Sequence, residues 1–271
     1  MDHYAVFGNP IGQSKSPFIH SQFAMQCEER LTYEAMLAPL DGFADSWHRF
    51  VGLGGKGANV TVPFKEQAFL LADILSDRAQ QAGAVNTLYI DKSGNLCGDN
   101  TDGIGLVADL NRLGFQLLGA TLLLLGAGGA SRGVIGPLLD AGVSKIVLAN
   151  RTESKAIAIA NSFDARVQAC SFEQIATLQY ALVINATSSG LSGERPQISA
   201  VHMQHCTLAY DMLYGPEPTP FLQWAQAQGV LHIADGLGML LSQAAEAFYI
   251  WRGKRPNIEP VMALLKAQLF K

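Results

Sequence analysis

A lysine and an aspartate in the first half of the chain have the residue types and the settings that proton transfer needs. Lys65 falls in the first turn of a helix predicted at 64–71, where the helix dipole disfavours an ammonium by about a few tenths of a kcal/mol. This setting favours loss of the lysine proton and suits acid–base chemistry. An exposed surface lysine is the alternative. Asp102 is predicted either to cap a helix or to orient Lys65.

Polar side chains near both residues suit a small polar ligand. Asn59 and Thr61 are two residues apart on a strand predicted at 58–62, so they share one face, whereas Ala58, Val60 and Val62 are predicted to point into the core. The sequence therefore predicts a ligand-binding face at the end of this strand.

A second polar segment precedes a predicted helix. Ser14 and Ser16 flank Lys15 just ahead of Pro17, a residue that favours the first turn of a helix. Two hydroxyls and a lysine near a helix N-terminus suit an anionic or polyhydroxyl ligand. Simple capping of the helix by Ser16 is the alternative.

A run of small residues predicts a dinucleotide site. The run follows a strand predicted at 121–125 and leads into a helix predicted at 129–141: Gly126, Ala127, Gly128, Gly129 and Ala130. Such a turn directs backbone N–H groups and a helix N-terminus at a pyrophosphate. Ser131 replaces the third glycine of the usual fingerprint, and a small residue there still permits close packing. A purely structural strand–helix turn is the alternative.

The residues after the next strand favour NADP over NAD. Asn150 is followed by Arg151 and Thr152, where an NAD-specific site would have an acidic residue. A guanidinium forks onto phosphate oxygens, and Thr152 and Lys155 can add donors for the 2′-phosphate of NADP. A solvated helix start is the alternative. Glu153 would repel a phosphate, so use of both NAD and NADP stays open.

Composition narrows the class of protein and of partner. The 271 residues are 49% hydrophobic, which excludes overall disorder, and their net charge of −4 disfavours nucleic-acid binding. No apolar run is long enough to span a membrane, so no membrane partner is expected. Four scattered cysteines and the absence of a leader predict a cytoplasmic protein. His202, His205 and Cys206 lack a fourth ligand at a suitable spacing, so no metal site is predicted.

The elements that must position these residues alternate between strands and helices, which predicts an α/β fold. A domain boundary is predicted before residue 102, and residues 102–236 have the strand–helix order of a doubly wound parallel sheet of the Rossmann type. Residues 91–100 are predicted to be a polar connection. The last helices, at about 237–251 and 258–269, have no following strand, so residues 237–271 are expected to pack back on the domain formed by residues 1–101.

Motifs along essentially the full chain, in the same order, resemble the NADP-dependent shikimate dehydrogenases of aromatic amino-acid biosynthesis. The matching segments are residues 14–16, 59–65, 83–87, 98–103, 126–130, 150–152, 185–188, 211–214 and 235–244. The resemblance implies a two-lobed fold, with a substrate-binding α/β domain and an NADP-binding domain. It also implies the reversible reduction of 3-dehydroshikimate to shikimate by NADPH, with Lys65 and Asp102 as the catalytic pair.

The resemblance also implies roles for individual residues. Ser14 and Ser16 would hold the substrate carboxylate, and Tyr214 would complete the pocket. The ring hydroxyls would be bound by Asn59, Thr61, Lys65, Asn86, Asp102 and Gln243. Asp77, Met212 and Gly236 would lie beside the cofactor, in addition to the glycine turn and the residues from Asn150 to Lys155.

Two other functions stay open. A quinate/shikimate dehydrogenase with relaxed use of NAD and NADP would share most of these motifs. A non-catalytic, nucleotide-sensing protein could keep the fold, but we expect such a protein to lack Lys65 or Asp102. The protein is expected to be a monomer or a homodimer.

Overall fold

The computed structural model describes residues 1–269, which form two units. The first unit comprises Met1–Gly105 and Leu241–Leu264, and the second comprises Leu106–Leu240 and residues 265–269. The three unit boundaries, after residues 105, 240 and 264, all fall inside helices. The sequence predicts the first two a few residues earlier, before residues 102 and 237. The last helix is divided between the units, a division that the sequence does not predict.

The strands form two six-stranded sheets. In chain order they are β1 (Asp2–Gly8), β2 (Leu31–Leu37), β3 (Gly55–Val60), β4 (Ile74–Leu75), β5 (Thr87–Ile90), β6 (Leu96–Asp99), β7 (Thr121–Leu125), β8 (Lys145–Ala149), β9 (Val167–Cys170), β10 (Leu182–Asn185), β11 (Leu208–Asp211) and β12 (His232–Asp235). The first sheet has the order β2-β1-β3-β5-β6-β4, and the second has the order β12-β11-β10-β7-β8-β9.

Helices connect the strands. In chain order they are α1 (Ser16–Gln26), α2 (Phe43–Gly52), α3 (Lys65–Leu71), α4 (Asp77–Ala82), α5 (Asp102–Arg112), α6 (Gly129–Asp140), α7 (Glu153–Ala160), α8 (Pro220–Ala227), α9 (Leu237–Arg252) and α10 (Ile258–Leu269). No helix in the described residues is long and apolar enough to cross a membrane.

The second sheet confirms the predicted doubly wound α/β fold. All of its strand pairs are parallel, and the order is that of a dinucleotide-binding sheet. β7 lies between β8 and β10, and its residues Leu122 to Leu125 are fully buried. Leu122 and Leu124 join one hydrophobic core while Leu123 and Leu125 join another, so both faces of this strand are covered.

The first sheet is mixed, because β5 runs antiparallel to both β3 and β6. Alternate residues on its strands face opposite sides. Phe7 and Val60 join a core with aromatic residues of α2, whereas Tyr4 stacks on Trp251 of α9. Asn59 lies between Ala58 and Val60 and therefore faces the same side as Tyr4.

The prediction that Val62 points into the core is wrong. Its side chain is 71% exposed, because β3 ends at Val60 and the chain then turns, with the Phe64 N–H donating to the Thr61 carbonyl. Phe64 is fully buried and fills the core instead. The alternation of a strand holds only as far as the chain remains in the sheet.

The prediction that residues 91–100 are only a polar connection is also wrong. Leu96–Asp99 is β6, which pairs with β5 after a turn in which the Asp91 carboxylate accepts from the N–H groups of Ser93 and Asn95. β6 is buried although half of its residues are glycine or aspartate. Pairing with β5 on one side and β4 on the other compensates for this weak strand propensity.

Candidate active site

Lys65 and Asp102 form an ion pair. Lys65 begins α3 and Asp102 begins α5, and the distance from Lys65 Nζ to Asp102 Oδ2 is 2.5 Å. The lysine side chain is 30% exposed and the aspartate side chain 13%, so the pair is largely shielded from water while the lysine side chain stays partly exposed. The arrangement can hold a proton donor at a fixed position.

Asn86 joins this pair to its surroundings. Its Nδ2 donates to Asp102 Oδ1 at 2.8 Å and to Thr101 Oγ1 at 3.0 Å, and lies 3.4 Å from Gln243 Oε1 on α9. Its Oδ1 accepts from the Thr101 N–H at 2.9 Å and from the Thr87 hydroxyl at 2.8 Å. Asn86 is almost completely buried, and these bonds fix its amide orientation and the direction of the Asp102 carboxylate.

Asn59 extends the same network. Its Nδ2 donates to the Asn86 carbonyl and to Thr87 Oγ1, both at 3.2 Å. Its Oδ1 accepts from the Tyr33 hydroxyl at 2.7 Å. The structure thus brings together side chains from α3, β3, the start of β5, α5 and α9.

The two serines lie at the start of α1. Ser16 is the first residue of the helix, Lys15 occupies the N-cap position without a side-chain bond, and the Ser16 N–H donates to Ser14 Oγ at 3.3 Å. The alternative that Ser16 caps the helix is therefore wrong, because the N-cap position belongs to Lys15 and no side chain caps the helix. Thr61 directly follows β3 and is half-buried, and its hydroxyl has no hydrogen-bond partner among residues 1–269.

The glycine turn after β7 is shaped by its backbone. Gly126 has a φ of +103°, and a Cβ there would lie 3.1–3.2 Å from Thr187 Cγ2 and the Ala186 carbonyl. Glycine is therefore required by both conformation and space. Ser131, at the position of the usual third glycine, donates from Oγ to the Gly126 carbonyl at 2.6 Å and stabilises the turn. The sequence did not predict this second role for Ser131.

The start of α6 fits the pyrophosphate of a dinucleotide. Gly128 is its N-cap residue, no side chain caps the helix, and its first turn holds no acidic residue. A Cβ on Gly128 or Gly129 would meet no atom within 4 Å, so the space beside these N–H groups is open. Ala127 and Ala130 flank them, and the Ala127 N–H donates to Asn150 Oδ1 at 3.2 Å.

The loop after β8 is the neighbour of that turn. Asn150 Nδ2 donates to the Thr152 carbonyl at 2.8 Å, and Thr152 is the N-cap residue of α7 without a side-chain bond of its own. Arg151 and Lys155 are exposed. The loop therefore presents two cations and an uncapped helix start, which fits a phosphate group, with Glu153 half-buried beside them.

The remaining predicted site residues, three for the cofactor and one for the substrate, lie in different parts of the chain. Met212 and Gly236 follow the adjacent strands β11 and β12, and a Cβ on Gly236 would overlap the Met212 carbonyl, so these two backbones are in contact. Asp77 is exposed at the start of α4 in the first unit. Tyr214 is half-buried in the second unit, and burial, with a smaller contribution from Asp235, raises the pKa of its hydroxyl.

Sequence reasoning missed three residues of the network. Thr87 and Thr101 adjoin predicted residues and were included in the motifs, but nothing distinguished their hydroxyls from those of other threonines. Tyr33 lies on the edge strand β2, far in sequence from its partner Asn59, and no local signal marks it.

Among residues 1–269, no group of three or more His, Cys, Asp or Glu side chains could hold a metal ion.

Family models match most of the chain. Residues 6–88 match the model described as shikimate dehydrogenase substrate binding domain. Residues 109–207 match the one described as shikimate / quinate 5-dehydrogenase, and residues 236–266 match the shikimate 5′-dehydrogenase C-terminal domain.

Individual proteins are similar over nearly their whole length. Shikimate dehydrogenase (NADP(+)) from Dechloromonas aromatica (strain RCB) is 55% identical over 99% of this chain and 98% of its own length. The crystal structure of an Ael1 enzyme from Pseudomonas putida is 44% identical, with a TM-score of 0.94 over 98% of both chains. Shikimate 5-dehydrogenase from Thermus thermophilus, in complex with NADP(H) and shikimate, is 34% identical, with a TM-score of 0.87 over 99% of both chains. On this similarity, the chain belongs to the shikimate dehydrogenase family.

Proposed function

We propose that this chain catalyses the reversible, NADP-dependent reduction of 3-dehydroshikimate to shikimate, in the biosynthesis of chorismate and the aromatic amino acids. The observation that supports this most strongly is the Lys65–Asp102 pair, at 2.5 Å, held in place by Asn86 within the first unit. An ammonium and a carboxylate fixed by a buried amide are what proton transfer to a ketone oxygen requires.

Shikimate is a ring with one carboxylate and three hydroxyls, so its site needs both donors and acceptors. In the proposal, the hydroxyls of Ser14 and Ser16 hold the carboxylate, and Tyr214 completes the pocket. The ring hydroxyls are bound by Asn59, Thr61, Lys65, Asn86, Asp102 and Gln243. The half-buried Thr61 hydroxyl, without a protein partner among residues 1–269, supports its share of this assignment.

NADPH would supply the hydride when bound, and residues of this chain would hold the cofactor. The N–H groups of the turn from Gly126 to Ala130 bind the pyrophosphate, and Arg151 and Lys155 pair with the 2′-phosphate, with Asn150 and Thr152 shaping that loop. Asp77, Met212 and Gly236 contact other parts of the cofactor. The uncapped start of α6 and the exposed cations after β8 support this part of the proposal.

Lys65 performs the proton transfer. As the substrate carbon accepts hydride, Lys65 Nζ donates a proton to the ketone oxygen, which becomes the shikimate hydroxyl. Asp102 accepts a hydrogen bond from Nζ and keeps the lysine aimed at that oxygen. The partial exposure of Lys65 allows it to regain its proton from water. In the reverse direction, neutral Lys65 removes the hydroxyl proton.

A steady-state assay tests the proposal directly. The purified chain is mixed with shikimate and NADP+, and the absorbance of reduced nicotinamide is followed; we expect efficient reduction with NADP+ and a much lower kcat/KM with NAD+ or with quinate. If the kcat/KM values with quinate and with NAD+ are comparable to those with shikimate and NADP+, the chain is a quinate/shikimate dehydrogenase instead. A chain that binds NADP+ but does not reduce it would be a nucleotide-binding protein, and the proposal would be wrong.

The location and assembly of the enzyme belong to the same proposal. We place it in the cytoplasm, as a monomer or a homodimer, acting on small molecules without a nucleic-acid or membrane partner. The four cysteines, Cys27, Cys97, Cys170 and Cys206, are free thiols, as is usual in a reducing compartment. Sedimentation velocity distinguishes the monomer from the dimer.

A further inference from the structure

We infer that Tyr33 is a positioning residue for substrate binding, because its hydroxyl holds the side chain of Asn59. The inference rests on the proposed function, in which Asn59 binds shikimate. Tyr33 itself is not placed in contact with the substrate.

The hydrogen bond between Tyr33 and Asn59 passes over an intervening strand on one face of the sheet. Tyr33 lies on β2 at the edge of the sheet and Asn59 on β3, with β1 between them. Tyr33 pairs in register with Tyr4, whereas Asn59 pairs with Val6, two residues further along β1. The phenol therefore leans over β1 along the strand direction, and its oxygen reaches Asn59 Oδ1 at 2.7 Å.

This bond determines which way the Asn59 amide points. With Oδ1 accepting from Tyr33, Nδ2 is directed at the Asn86 carbonyl and Thr87 Oγ1. Asn59 is only 6% exposed, so loss of the Tyr33 hydroxyl would leave Oδ1 without its donor in a site that water enters poorly. The amide would then lose its fixed orientation, and with it the contact to the Asn86 backbone.

The protonation of Tyr33 fixes the direction of this bond. Burial raises the pKa of Tyr33 well above its usual value, and the neighbouring Ser16 hydroxyl opposes this effect only in part, so the phenol stays protonated. Its single proton therefore goes to Asn59 Oδ1. The phenol is thus a fixed donor to a proposed hydroxyl-binding residue.

Aromatic packing holds the Tyr33 ring in place. His20 of α1 stacks face to face on it, with ring centroids 4.2 Å apart and an interplanar angle of 4°. The ring of Trp251 of α9 is tilted against that of Tyr33, with the ring centroids 6.2 Å apart. Because side chains of two helices pack on the ring, the Tyr33 hydroxyl is held in position before any substrate binds. A positioning residue must be fixed in this way.

The first test removes only the hydroxyl. In Tyr33→Phe we expect the KM for shikimate to rise about tenfold, the effect of one buried hydrogen bond. The KM for NADP+ and kcat should change less than about twofold, because the ring packing and the Lys65–Asp102 pair stay intact. Tyr89→Phe, the same change on β5 of the same sheet, is the matched control and should leave all three constants unchanged.

The second test asks whether Tyr33 acts through Asn59. In an Asn59→Ala background, Tyr33→Phe should raise the shikimate KM no further, since the group it positions is gone. An equal rise in both backgrounds, or an unchanged KM in Tyr33→Phe, overturns the inference. An inactive wild-type chain overturns the proposed function and the inference with it, whereas an active wild type with a neutral Tyr33→Phe overturns only the inference.

Discussion

The polar network of the first unit and the glycine turn of the second are built in opposite ways. The network is assembled from side chains that are far apart in sequence, among them Lys65, Asn86, Asp102 and Gln243. The turn is made by the backbone of one short segment, Gly126 to Ala130, next to a single neighbouring loop. Side chains place the groups in the first case, and backbone conformation places them in the second.

The two regions should therefore be sensitive to different kinds of substitution. The network depends on individual functional groups and on the hydrogen bonds that orient them, so removal of one group should impair chemistry or substrate affinity. The turn depends on conformation and on the absence of side-chain atoms, so addition of a methyl group should impair it.

The largest effect is expected at Lys65. In Lys65→Ala the kcat/KM for shikimate should fall by about 10²–10⁴-fold, because a placed acid–base group is lost. The dissociation constant for NADP+, measured by fluorescence titration, should stay the same. Lys56→Ala, at an exposed position on β3, is the control. Unchanged turnover would show that Lys65 is not the proton donor, and lost NADP+ binding would mean that the two regions are not independent.

A methyl group at Gly126 should destabilise the second unit. We expect Gly126→Ala to lower the free energy of unfolding by about 1–3 kcal/mol, because alanine is strained at a φ of +103° and its Cβ would press on Thr187 and Ala186. Gly128→Ala, at an extended φ of −103° with open space, should leave the unfolding free energy unchanged and weaken NADP+ binding. Urea unfolding without ligand, together with NADP+ titration, separates the two effects. Equal stability of both variants would contradict this account of the turn.

Cofactor choice should depend on Arg151. In Arg151→Gln the KM for NADPH should rise about 10- to 100-fold, since a charge-assisted pair with the 2′-phosphate is lost. The KM for NADH, which lacks that phosphate, should barely change. Arg49→Gln, at an exposed position on α2, is the control. A parallel rise for both cofactors would show that Arg151 acts on the shape of the loop and not on the phosphate.

A smaller effect, on the pH dependence of the unfolding free energy, is expected at His20 of α1. Burial lowers the pKa of His20 to about 3, and the nearby Asn59 amide opposes this shift only in part. Among residues 1–269, neither ring nitrogen of His20 has a hydrogen-bond partner of normal geometry. His20 is therefore neutral in the folded chain and takes up a proton on unfolding below about pH 6.5. Its contribution to stability is fully present above that pH and is lost as the pH falls towards 3, by about 1.4 kcal/mol per pH unit.

Two variants isolate the contribution of His20. His20→Phe keeps an aromatic ring and removes the titration, so its unfolding free energy should depend less steeply on pH than that of the wild type between pH 6 and 4. His48→Phe, at an exposed position on α2, should follow the wild type. Urea unfolding at each pH measures the difference. Parallel curves for His20→Phe and the wild type would contradict the buried neutral state.

Much of the fold can be predicted from the sequence because it is signalled locally. Long apolar runs such as 121–125, and the regular alternation of strands and helices, predict the doubly wound sheet without knowledge of distant contacts. Short elements cannot be predicted in this way. β4 has two residues and β6 is half glycine and aspartate, so each depends on its partner strands for stability.

The same limit applies to the sites. The residue types and spacing around Gly126 and Arg151 predict a dinucleotide site by themselves, because the chemistry lies in one turn and in the loop beside it. The sequence also predicts an acid–base role for Lys65, since a cation in the first turn of a helix is disfavoured, and it offers Asp102 as the carboxylate that orients this lysine. It contains no sign that the hydroxyl of Tyr33 reaches Asn59 across an intervening strand.

The sequence by itself determined the fold class and the glycine turn and predicted the Lys65–Asp102 pair, because each follows from backbone conformation or residue chemistry over a few neighbouring positions. Only the tertiary structure decided that Asn86 would fix the Asp102 carboxylate, that Tyr33 would hold Asn59, and that Val62 would face solvent. These outcomes depend on where a strand ends and on which distant side chains converge. Both are properties of the packed sheet and helices, and no short segment contains them.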